Sequence, residues 1–71
     1  MASSEIIFEV IDSAEGGYEA RALGHSIFTE ADTEEELKSM LRDAVRCHFE
    51  ENQDAPRVIR LHWVRDEVIP A

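Results

Sequence analysis

The sequence predicts an α+β fold of βββαβ order, a two-layer sandwich with one helix on one face of a four-stranded sheet. Three observations carry that expectation: early segments with a two-residue apolar period, one capped amphipathic helix, and a late segment rich in β-branched residues. The strands are expected at 5–12, 18–24, 26–30 and 57–65 and the helix at 33–50, which makes 1–71 a single domain. At 71 residues the core must be thin.

In the first segment, Ile6, Phe8 and Val10 share one face of a strand, and Glu5, Ile7, Glu9 and Ile11 share the other. Ser13-Ala14-Glu15-Gly16-Gly17 offers glycines that accept positive φ, so a hairpin should return the chain antiparallel through Tyr18–Gly24. Ser26-Ile27-Phe28-Thr29-Glu30 has the composition of a third, short strand.

The helix carries the strongest local signal. Thr33 with Glu36 forms a capping box, and Asp32 and Glu34–Glu36 place negative charge at the positive end of the helix dipole. Leu37, Met40, Leu41, Ala44, Val45 and His48 follow the 3.6-residue period and predict the packed stripe. Glu34 with Lys38 and Arg46 with Glu50 have ion-pair spacing. Asn52-Gln53-Asp54-Ala55-Pro56 should end the helix, because a proline disfavours helical backbone in the residue before it.

In the last strand Ile59, Leu61 and Trp63 form an apolar face that belongs under the helix, opposite Val58, Arg60, His62 and Val64. A strand, helix, strand connection is right-handed and parallel, so strand 4 should lie beside strand 1. The expected sheet order is 3-2-1-4, with strand 4 an open edge guarded by Arg60 and Arg65.

Charge narrows the function. The chain has 16 acidic against 7 basic residues and a net charge of −9, which repels phosphate and argues against direct DNA or RNA binding. Residues 1–51 hold 13 acids and 4 bases, whereas 54–71 hold 3 of each. A basic partner would therefore meet the first three strands and the helix. One cysteine, Cys47, excludes an internal disulfide framework and fits a reducing compartment. No apolar run approaches the roughly 20 residues of a membrane span, and the start of the chain lacks signal-peptide character. These features predict a cytoplasmic protein of bacterial type without membrane contact.

No residue constellation predicts a catalytic, cofactor or metal site. Cys47 and His48 project about 100° apart on a helix and cannot readily share an ion. His25 and His62 complete the soft-ligand set, without CxxC or HxxxH spacing. His48 reads as a packed, hydrogen-bonded histidine, Cys47 as a small buried hydrophobe, and Trp63 as core. Gly16-Gly17 is a turn rather than a phosphate loop. The expected topology brings Asp12, Asp66 and Glu34–Glu36 toward one rim, so a degenerate metal-dependent nuclease stands as an alternative.

The outer sheet face should display Ile7, Ile11, Leu23, Val58 and Val64 beside Glu9, Arg21, Arg60 and His62, an apolar patch of mixed charge suited to a protein interface. The interface residues expected are Ile7, Ile11, Leu23, Val58, Arg60, His62 and Val64. A homodimer is expected, through this face or through strand 4 paired edge to edge. A homo-oligomeric structural protein without another partner is a further alternative.

Ile7-Phe8-Glu9-Val10, the hairpin Glu15–Gly24, Phe28–Leu37 and the closing Asp43–Phe49 together resemble a HicB-type antitoxin domain, in a short stand-alone branch of that family. The resemblance implies a partial ribonuclease-H-like fold and a non-enzymatic module that sequesters a small basic RNA-cleaving toxin. Relatives of that type bind operator DNA through a separate C-terminal segment. The chain stops at Ala71 after strand 4, so that activity is not expected to carry over.

Overall fold

A computed structural model describes residues 5–50 and 55–71. The elements run β1 (Glu5–Asp12), β2 (Tyr18–Ala22), β3 (Phe28–Ala31), α1 (Glu34–His48) and β4 (Val58–Trp63). The sheet order is β3-β2-β1-β4, with β4 parallel and β2 antiparallel to β1, as expected, and β3 is antiparallel to β2.

β1 has its expected bounds because its alternation is clean: Ile6, Phe8 and Val10 are buried, while Glu9 and Ile11 are exposed. The hairpin that follows is closed by Ser13 N–H donating to the Gly17 carbonyl at 2.9 Å and Gly16 N–H to the Ser13 carbonyl at 3.1 Å. Gly16 and Gly17 have φ of 96° and 83°, a region that penalises any side chain with a Cβ.

β2 and β3 depart from expectation. β2 stops at Ala22 and β3 starts at Phe28 rather than Ser26. Gly24 at φ 84° turns the chain, and Ala22 N–H donates to the Ile27 carbonyl at 3.0 Å, so 23–27 forms the connection. Leu23 still donates its N–H to the Ile7 carbonyl at 2.9 Å.

Thr33 is the N-cap, and its Oγ1 accepts from Glu36 N–H at 3.1 Å. Glu36 reaches back to Asp32 N–H at 2.9 Å, one residue before the position a standard capping box uses. Thr33→Ala should cost about 1 kcal/mol of stability, readable as a shifted urea midpoint with an unchanged slope. α1 ends at His48 with Phe49 as C-cap. The expected stop at Asn52-Gln53-Asp54 lies outside the described residues.

The core is formed by Ile6, Phe8, Val10, Ala20, Ala22, Ile27, Leu37, Leu41, Val45 and Phe49. The helical stripe is narrower than its periodicity predicts. Leu37, Leu41 and Val45 are buried, but Met40, Cys47 and His48 are exposed. The physical reason is the helix's position: α1 packs chiefly on β3 and β2. The edges of its apolar arc consequently have no sheet beneath them.

The same offset corrects the reading of β4. Ile59 and Leu61 pack against the core but are only half-buried, and Trp63 is 42% exposed rather than core. Trp63 meets the Tyr18 ring edge-on at a centroid distance of 5.5 Å. Between α1 and the underside of β4 lies a groove of about 860 Å³.

Candidate protein-binding surface

The sheet has two unlike faces because α1 covers only one. Strand register places the outer residues in rows: Ile11 with Glu19 and Glu30, Glu9 with Arg21, Phe28 and His62, Ile7 with Arg60, and Glu5 with Val58. Val64 extends the face, since its N–H donates to the Val10 carbonyl at 2.8 Å and keeps the β4 alignment.

Each expected interface residue lies on this face. Ile11, Leu23 and Val58 are 40%, 51% and 50% exposed; Ile7 and Val64 are half-buried; Arg60 and His62 are exposed. Phe28 joins them at 55% exposure, the largest apolar side chain of the face, and sequence reasoning missed it. A short strand has too few positions to establish its phase. The Arg21↔Phe28 pairing does so in the folded chain.

Arg60 is tied down within the face. Its Nε and Nη2 both lie 3.0 Å from Glu5 Oε1 across the parallel pair. The hydrogen bond that Arg60 donates to Glu5, and then the Glu5 charge, raise the Arg60 pKa above its ordinary value, so the guanidinium stays charged. The contact is solvent-exposed and serves orientation more than stability.

A depression of about 50 Å³ lies in the face between Glu9, Ile11, Glu19, Arg21 and Phe28. Small-molecule sites run to about 300–1,000 Å³, so this face suits a macromolecule. Four glutamates, Glu5, Glu9, Glu19 and Glu30, face two arginines there, which gives the patch an acidic balance.

The other sequence candidates are scattered. No three His, Cys, Asp or Glu side chains among the described residues converge in a way that could hold a metal ion. His48 is not the packed core histidine expected; it is exposed and stacks edge-on with Phe49 at 4.8 Å and His25 at 5.5 Å. Cys47 is exposed and free, not a buried hydrophobe. Arg46 pairs with Asp43 at 2.6 Å instead of with Glu50. Glu15, Glu30, Asp32 and Glu36 line an acidic hollow between the first hairpin and the start of α1. No helix among the described residues is long and apolar enough to cross a membrane.

The chain is 45% identical over 65 residues to a UPF0150 protein of Thermotoga maritima, covering 92% of this chain and 90% of that protein. The chain belongs to the UPF0150 family. A second UPF0150 protein, from Archaeoglobus fulgidus, is 58% identical over 48 residues, covering 68% of this chain and 71% of the relative. UPF0150 relatives therefore occur in both bacteria and archaea. No family model matches the chain, and no solved structure matches it. In this UPF0150 member the helix-free sheet face, with Ile11, Leu23, Phe28 and Val58 exposed on it, is the candidate binding surface.

Proposed function

We propose that this UPF0150 protein is a non-enzymatic binding module whose outer sheet face receives a small basic protein, in the manner of a HicB-type antitoxin. The observation that carries the reading is the bare face itself. Ile11, Leu23, Phe28 and Val58 are each at least 40% exposed on it, interleaved with Glu9, Glu19 and Glu30. Exposed apolar side chains gathered on one face among charged ones suit a docking site, and the acidic balance selects a basic partner. The net charge of −9 would steer such a partner from a distance. In the antitoxin reading, the partner is a small basic RNA-cleaving protein, and burying its cationic surface on this face would keep it from RNA.

The test is co-expression with a small basic RNA-cleaving protein of the toxin type. The reading predicts a stable complex and suppressed RNA cleavage. The double variant Leu23→Asp/Phe28→Asp should lose both while keeping the far-ultraviolet circular dichroism of the native chain. Undiminished RNA cleavage in the presence of excess native protein, or full suppression by the double variant, would count against it.

A further inference from the structure

The groove beneath β4 has a charge character opposite to that of the protein. Its floor is apolar, formed by Leu41, Val45, Phe49, Ile59 and Leu61. Its rim carries Lys38, Arg42, Arg46 and Arg57, four of the 7 basic residues in a chain of net charge −9. Glu50 is the one acid among the described lining residues, and Asp43 pairs with Arg46, so the described part of the rim keeps a net positive charge. An apolar trough with a cationic lip fits an occupant that is apolar with an acidic flank.

The chain itself has such a segment. After β4, Arg65-Asp66-Glu67-Val68-Ile69 leaves the sheet, with Val68 93% and Ile69 74% exposed. Val64 N–H still bonds to the Val10 carbonyl, so the segment departs in the direction of β4. The groove lies toward the opposite end, beside Arg57 and Ile59. The segment therefore heads away from the groove of its own chain.

A second copy resolves the geometry. β4 is a sheet edge, and two identical edges pair antiparallel around a two-fold axis. Antiparallel pairing sends the segment after Val64 of each copy past the Arg57 end of the other. If that segment is extended, the inner-face parity of Ile59, Leu61 and Trp63 continues through Arg65 to Glu67 and Ile69. We propose that two copies join along their β4 edges, each placing Ile69 in the other's apolar groove and Glu67 against its basic rim. Burial of an otherwise solvated isoleucine and the meeting of opposite charges both favour the exchange. The dimer uses an edge and an inner groove, so it is independent of the outer face proposed above for a basic partner.

The test is sedimentation equilibrium of the full chain over a concentration series, with three variants. The native chain should show a dimer. Ile69→Asp, at an exposed position that the monomer fold does not use, should weaken dimerisation at least tenfold with unchanged circular dichroism. Arg57→Glu should weaken it too, and adding Glu67→Arg to Arg57→Glu should restore it. Mixed-label nuclear Overhauser contacts should join Ile69 of one copy to Phe49 or Leu61 of the other. A native chain that stays monomeric throughout, a dimer indifferent to Ile69→Asp, or Ile69 contacts arising only within one copy would each overturn the proposal. Retained binding of a basic partner by Ile69→Asp would separate this result from the outer-face reading.

Discussion

Phe8→Ala should leave the chain largely unfolded at 25 °C. Phe8 has no solvent exposure and lies in the middle of the central strand β1, with β2 on one side and β4 on the other. It contacts a core whose other large, fully buried members are Leu37, Leu41 and Val10. Truncating a buried phenylalanine removes its transfer free energy and leaves a cavity, together about 3–5 kcal/mol. Small domains hold only about 5 kcal/mol of net stability, so the loss approaches the whole. Circular dichroism with urea titration would show it as a missing or very low midpoint. Ile11→Ala, on the same strand but 40% exposed, should shift the midpoint far less. Comparable losses at the two positions would mean that the assignment of inner and outer faces is wrong.

Gly17→Ala should be the most damaging change outside the core. Gly17 has φ 83°, where a residue with a Cβ pays about 1–2 kcal/mol for the conformation alone. A Cβ there would also lie 2.4 Å from the Ala31 carbonyl oxygen and 3.1 Å from Asp32 Cα. Both are backbone atoms at the junction between β3 and the capped start of α1, so relief requires moving the hairpin or the helix entrance. Their combined cost should exceed about 2 kcal/mol. Gly16 makes the control: its φ is 96°, yet an added Cβ meets nothing within 4 Å. Gly16→Ala should therefore cost only about 1 kcal/mol. Equal losses at the two glycines in urea titration would refute the close approach of the hairpin to the end of β3.

The fold was legible in the sequence because its strongest signals were local and mutually consistent. The Ile6, Phe8, Val10 alternation and the Thr33 cap each specify one element, and the right-handed crossover then leaves β4 beside β1. What was not legible depended on where α1 lies over the sheet. A 3.6-residue stripe gives the direction of a helix face but not which strands it covers. Met40, Cys47 and His48 therefore read as packed although they are exposed, and the half-open underside of β4 had no sequence signature. Trp63 failed for the same reason, as its face was judged by alternation without knowing how far the helix extends over it.

The candidate surface followed the same division. Ile7, Ile11, Leu23, Val58, Arg60, His62 and Val64 could be assigned to one face from strand parity alone. Phe28 could not, because β3 is four residues long and its start was displaced by the turn at Gly24. The basic rim of the groove brings Lys38, Arg42 and Arg46 from the helix together with Arg57 beside β4. Only the tertiary fold gathers them.

The most direct measurement for the proposed binding role is a methyl-labelled spectrum of this protein with and without a small basic RNA-cleaving protein of the toxin type. The methyl signals of Ile7, Ile11, Leu23, Val58 and Val64 should shift or broaden together on addition of the partner. Those of the buried Leu37 and Leu41 should change little. Outer-face signals that stay in place while the two proteins are present at high concentration would contradict the account.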